Sequence, residues 1–224
     1  MTTIECEVLF DLVEMDLLAT HAGVRWPFPL RVPSFGLDAS ERAALLAEAG
    51  HGLQTRGLAT EHGPEGMAAE LVMALQEYRG SVDLVVVGEG TVTGAVAMVY
   101  DDWAVVCHQD LDGGGTVRAT RVGAEEVSGE LTGLIHENRA AQFMPATLPP
   151  GAGLDQLGDL FPVRGQGQLG VVVRHGGRGE VSWLDSARGR IRVDVGSDGW
   201  VSVNPMRHNE LLRAVSEAAA VARR

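Results

Sequence analysis

The sequence predicts an α+β protein built on a mostly antiparallel sheet, and three observations predict it. Over residues 81–137 and again over 168–222, apolar and polar residues alternate in short runs, and each set of runs ends in an amphipathic helix. The links between runs (GEG, DD, DLDGGG in the first set, HGGRG, DSARG, GSDG in the second) are too short for crossovers, so neighbouring strands must form antiparallel hairpins. The chain ahead of residue 81 instead carries helical periodicity and a cluster of prolines. The simplest organisation is one domain, residues 1–224, with pseudo-twofold halves at about 81–137 and 168–222 whose similarity is architectural rather than residue by residue.

In order along the chain, Ile4 to Phe10 reads as a short strand, and Asp11 to Thr20 as a helix with Leu12, Met15 and Leu18 on one side. The stretch WPFPLRVPSFG has prolines at 27, 29 and 33, which forbid a helix and favour an extended strap. Asp38 with Glu41 gives a capping pattern for a helix whose apolar face is Leu45, Leu46, Ala49 and Leu53. Gly57 is its expected stop, with Leu58 folding back on Leu53. A second helix is expected from Pro64, with Met67, Leu71, Leu75 and Tyr78 inward and Gly80 as its end.

Four strands follow, at Val82–Val87, Thr91–Tyr100, Trp103–His108 and Thr116–Val122. The next helix presents Val127, Leu131, Leu134 and Ile135 on one face. Residues 138–167 contain MPATLPPGAG and read as irregular, with a helical turn or two over Leu154–Phe161. The second set of strands is expected at Gln168–Arg174, Glu180–Leu184, Arg190–Val195 and Trp200–Val203. Asn204 as cap and Pro205 as first residue would open the last helix, with Leu211, Leu212, Val215 and Ala219 inward and Arg223 and Arg224 at its negative end.

Composition narrows the function. The chain has 224 residues, enough for a sizeable core, and a net charge of −12 with arginine as its sole strongly basic residue type. That charge opposes a nucleic-acid or anionic-membrane partner, since both require a basic face. No apolar run approaches the length of a membrane span, and MTTIECEVLF lacks the basic start of a secretion signal. Cys6 and Cys107 are isolated, without metal-site spacing, which fits a reducing, cytoplasmic setting.

Candidate chemistries fail on context. GEGTVTG resembles a phosphate loop but lacks the lysine and the following helix, and GVVVRHGGRG fails for the same reason. Cys107 and His108, beside Asp101 and Asp102, are neighbours on a strand and so point to opposite faces. His136, His175 and His208 have no partner at ligand spacing, and the Asp110–Asp112 loop lacks the distal glutamate of a calcium site. Neither a catalytic residue nor a metal or cofactor site is expected.

The densest polar stretch is WLDSARGR. Val181 and Trp183 alternate with Ser182 before it, and Ile191, Val193 and Val195 alternate with Arg190, Arg192 and Asp194 after it. Between them, Asp185 opens and Gly189 closes a turn. Arg190 and Arg192 are expected on the outer face, where a pair with Asp185 would be worth about 1 kcal/mol or less. GEVSWLDSARGRIRV, followed by GWVSVNP and a terminal amphipathic helix, resembles the C-terminal signature of the EspG family of type VII (ESX) secretion chaperones. WPFPLRVPSFG, ERAALLAEAGHGLQTRGLA and GQLGVVVR resemble further segments of that family in the same order, and together they span nearly the whole chain.

The resemblance implies a quasi-twofold fold with a central antiparallel sheet flanked by helical bundles. It also implies a cytosolic, non-enzymatic chaperone that covers the apolar tip of a helical PE–PPE-like heterodimer or an equivalent helical hairpin, keeps it soluble and delivers it for secretion. By the same resemblance the partner would meet the Gly88-Glu89-Gly90-Thr91 hairpin, Val96 and Met98 on the following strand, and Met206 and Leu212 about the last helix. The rival readings are a small hydrolase with an unrecognised site and a scaffold that associates through its sheet edges; a homodimer stays open.

Overall fold

The computed structural model describes residues 7–160, 162–174 and 176–224. Cys6, Phe161, His175 and the start of the strand expected from Ile4 lie outside the described residues. The chain opens with β1 (Glu7–Asp11) and α1 (Leu12–Ala22), followed by the proline-rich strap and α2 (Ala39–Thr55). Asp38 accepts hydrogen bonds from the Ser40 and Glu41 N–H groups at 2.8 and 2.9 Å, and Gly57 stops the helix at φ 71° while the Leu58 N–H bonds the Leu53 carbonyl. A two-residue hairpin, β2 (Ala59–Thr60) with β3 (Gly63–Pro64), leads to α3 (Gly66–Glu77). Pro64 is therefore not the start of that helix; it pairs with Ala59, and Gly66 turns the chain at a positive φ of 53°.

The first meander is β4 (Gly80–Gly88), β5 (Thr91–Val99), β6 (Trp103–Asp110) and β7 (Thr116–Gly123), capped by α4 (Val127–Thr132). Then come β8 (Ala146–Leu148), two 3₁₀ turns at Leu154–Gln156 and Gly158–Leu160, and the second meander: β9 (Val163–Val173), β10 (Arg178–Ser186), β11 (Gly189–Val195) and β12 (Val201–Pro205). The chain closes with α5 (His208–Ala222). This helix starts later than Asn204 and Pro205 suggest. Both residues are still in the sheet, paired with Arg192 and Ile191, and the Glu210 carboxylate caps the Arg207 N–H at 3.0 Å.

The two meanders fuse into one antiparallel sheet of order β1-β7-β6-β5-β4-β9-β10-β11-β12-β8. The order runs alike from either edge: an outer strand, then a meander counted backwards, meeting at the β4–β9 pair. Alternation assigns the two faces. On the back face, Val82, Leu84, Ala95, Ala97, Val106 and Leu169 pack under α4 and α5 through Leu131, Leu211 and Val215. On the front face, Val96, Met98, Val105, Cys107 and Phe10 lie under α1 and α3 through Met15, Leu18, Leu71 and Leu75. At the far end of the front face, Ile191 and Val203 are covered by Ala141, Leu157 and Leu160.

The early start of β9 has a steric cause. Gly165 and Gly167 face the back, where a Cβ on Gly167 would stand 2.0 Å from the Trp183 indole. Glycines at these positions hide the alternation that marks a strand. A similar contact fixes α5, because a Cβ on Gly80 would meet the Ala222 carbonyl oxygen at 2.5 Å. Gly80→Ala should push the end of α5 off β4 and lower stability by about 1–3 kcal/mol. Urea denaturation checks this, and an unchanged midpoint would show that α5 yields freely.

Candidate functional site: a groove at the centre of the sheet

Coverage of the front face is incomplete in the middle. Between the α1–α3 bundle and the segment around Leu154, strands β4, β9 and β10 floor an open groove of about 320 Å³. Val85 and Val87 line it from β4, Gln166 and Gln168 from β9, Ser182 and Leu184 from β10, with Val193 beyond them. Phe28, 53% exposed, stands on the strap side and Leu154 on the other. Among the described residues the Gln166 and Gln168 amides have no hydrogen-bond partner, so a mixed apolar and amide surface is left unused.

The strap that carries Phe28 is held at several points. The Trp26 indole donates to the Met15 carbonyl at 2.9 Å, and the Gln109 side chain pairs with Arg31 as a strand would, accepting from its N–H at 2.7 Å and donating to its carbonyl at 3.0 Å. The Phe35 N–H donates to Asp16, which is also held by both Nη atoms of Arg42 at 2.6 and 3.0 Å. Burial alone would raise the Asp16 carboxyl, but these donors more than offset it and hold it below its ordinary value.

The lower end of the groove is set by a second ion pair. Asp83 on β4 is 2% exposed and is met by both Nη atoms of Arg178 at 2.8 Å. Arg178 reaches it from β10 across Gly170 on β9, where a Cβ would collide with both groups at 2.4–2.5 Å. The guanidinium carbon also lies 5.7 Å from the Phe28 ring centroid. Burial pushes the Asp83 carboxyl above its ordinary value in spite of Arg178.

At the upper end of the sheet, the β4–β5 hairpin rims a second cleft of about 330 Å³, with Ile135, Glu137, Arg164 and Arg190 among its lining. Behind it stands the Asp185–Arg190 pair. Arg190 is 1% exposed, not a surface residue as its alternation suggests. It donates to both Asp185 oxygens at 2.8 and 2.9 Å and to the His136 carbonyl at 2.9 Å, and it contacts His208 Nδ1 at 3.2 Å. Asn138 adds a bond to Asp185 at 2.9 Å. The WLDSARGR stretch is thus a turn, as its residues indicate, whose arginine ties β10, β11, the 136–141 loop and the start of α5 together.

The sequence model of the EspG family matches residues 11–217. The chain belongs to the EspG family. No curated protein sequence matches it. A chain in the structure of the Mycobacterium tuberculosis type VII secretion system chaperone EspG5 in complex with a PE25–PPE41 dimer is similar in fold, with a TM-score of 0.60 over 96% of each chain at 11% identity.

In this EspG-family chain the expected contact residues separate into two groups. Glu89, Gly90 and Thr91 are exposed at the hairpin tip, Gly88 is half-buried beside them, and Gly90 takes the positive φ of 74° that the turn needs. Leu212 is half-buried on the first turns of α5. Val96, Met98 and Met206 are corrected: at 0%, 0% and 3% exposure they are core. Alternation along β5 turns Val96 and Met98 under α1 and α3, and Met206 packs in the back-face core. The groove residues Val85, Gln168, Leu184 and Phe28 were missed. Their one signal is polar glutamines at front-facing positions of a central strand.

Cys107 is fully buried in the front core with its thiol pushed up to about 12 by burial, while His108 faces the back, where burial foremost, then Arg118, lowers it. The two cannot work as a catalytic pair.

Two predictions follow from the ion pairs. Asp83 binds its proton more tightly folded than unfolded, so its contribution is present at acid pH and lost as pH rises through the window above the ordinary carboxylate range. Arg178→Met removes the one group that opposes this and moves the window further up. The variant should lose more stability at pH 7.5 than at pH 5 relative to the unsubstituted protein in urea titrations; equal losses at both would refute the assignment. Arg190→Met leaves Asp185 without its cation and should cost about 3 kcal/mol by the same measurement.

Proposed function

We propose that this chain is a cytosolic chaperone for type VII secretion substrates of the PE–PPE class, binding the tip of the helical pair and catalysing no reaction. The observation that carries the reading is the uncovered groove: an apolar floor interrupted by amides that have no hydrogen-bond partner among the described residues, in the middle of the front face between two covered cores. The tip of a helical pair ends in a turn, and a turn offers apolar side chains beside unbonded backbone groups. Valine and leucine suit the former, and Gln166 and Gln168 the latter. Covering such a tip keeps its apolar patch from meeting its own kind.

Membership of the EspG family and the fold shared with EspG5, whose structure was determined with PE25–PPE41, support the same reading. Among the described residues no helix is long and apolar enough to cross a membrane. We extend the contact surface from the groove to the Gly88–Thr91 hairpin at the upper end of the sheet, and keep Leu212, on α5 behind the sheet, as a separate candidate contact.

Affinity capture from the native cytosol, with mass spectrometry of what is retained, is the decisive test. A stoichiometric helical pair exported by a type VII system is the expected result; a clean bait from cells expressing that system would overturn the reading. Val85→Thr should weaken capture while lowering the thermal melt only slightly, because Val85 is half-buried and threonine keeps its β-branched shape. Glu89→Lys should slow association and alter its salt dependence without abolishing it, as rim charges do.

A further inference from the structure

The TRGLA ending of α2 has a task beyond stopping a helix. β1 is an outer strand of the sheet, and its phase is fixed by the Leu12 N–H, which bonds the Gly115 carbonyl at 3.3 Å. Counting back by twos, Phe10 and Val8 turn their backbone groups toward β7, opposite Val117 and Ala119. Glu7, Leu9 and Asp11 therefore turn theirs outward, as a template for a further strand.

That template is occupied. The Asp11 N–H donates to Glu14 Oε2 at 3.0 Å. The Leu9 carbonyl accepts from Arg56 Nη2, reaching over from the end of α2. Arg56 is held there by Glu14, whose two oxygens it meets at 2.9 and 3.0 Å, and lies 5.7 Å from the Phe10 ring centroid. Glu14 is itself 5% exposed and Leu9 is 51% exposed. An incoming strand must bond both the N–H and the carbonyl of Leu9, and the guanidinium stands in its path.

We propose that Arg56 and Glu14 form an edge lock, and that the strand it excludes is β1 of a second copy of this chain. The copy is the relevant occupant because an identical edge, with the same alternation about Leu9, is present at the protein's own concentration. Antiparallel pairing about Leu9 would set Glu7 against Asp11 of the other copy, so the test is run at high salt to screen that repulsion.

Sedimentation velocity at rising concentration reads the outcome. The unsubstituted protein should stay monomeric. Arg56→Met with Glu14→Gln, which opens the lock without stranding a buried charge, should shift to a dimer. Adding Leu9→Pro removes the outward N–H, which the β1–β7 pairing does not use, and should return the protein to monomer. The lock is overturned if the folded double variant, checked by its circular dichroism melt, stays monomeric, or if the proline leaves its association unchanged. A dimer of the unsubstituted protein that Leu9→Pro dissolves would overturn it equally.

Discussion

The antiparallel pairing of β4 with β9 is the contact on which the rest of the structure depends. Each meander alone is a half-sheet with one strand left open, and the eight-residue register from Gly80–Val173 to Val87–Gln166 joins them. The pairing runs through a strand rich in glycine, and the glycines do different work on each face. Gly167 admits the Trp183 indole to the back core, while Gly170 admits the Asp83–Arg178 pair to the front. β9 is thereby thin enough for side chains from β10 to cross it, which gives the groove both its depth and its charged end.

Short apolar runs between turns made most strands legible; β5 and β6 are buried on both faces and read as near-continuous apolar runs, AVAMV and WAVVC, rather than as alternation. The last helix began later than its cap and proline suggest. Asn204 and Pro205 satisfy the sequence rule for a helix start as well as the pairing needs of the end of β12, and only the neighbouring β11 decides between them. The first residues of β9 escaped because glycine leaves no pattern. The site was less legible than the fold. Val96 and Met98 alternate like any apolar strand residues, and which of the two faces a helix covers is a property of the tertiary structure. Arg190 was placed on the correct side of β11, but its burial comes from the 136–141 loop and His208, distant in sequence.

Two nearly inaccessible aspartates show burial and local donors in competition. Asp16 and Asp83 each have a two-pronged arginine, yet Asp16 also takes the Phe35 N–H and is held below its ordinary value, while Asp83, more deeply buried and without that donor, is pushed above its own. Acid therefore loosens the strap at Asp16 and relieves the groove floor at Asp83. The walls and the floor of one groove answer pH in opposite senses.

The sheet's order repeats about the β4–β9 seam, but what stands on either side of the groove does not. One wall is a proline strap fastened to α1 and β6, the other a pair of 3₁₀ turns over β11 and β12. The floor is no more symmetric than the walls, with valines on the β4 side, amides on β9 and the Asp83–Arg178 pair at one end only. A twofold of strand order is therefore compatible with a groove that has a head and a tail.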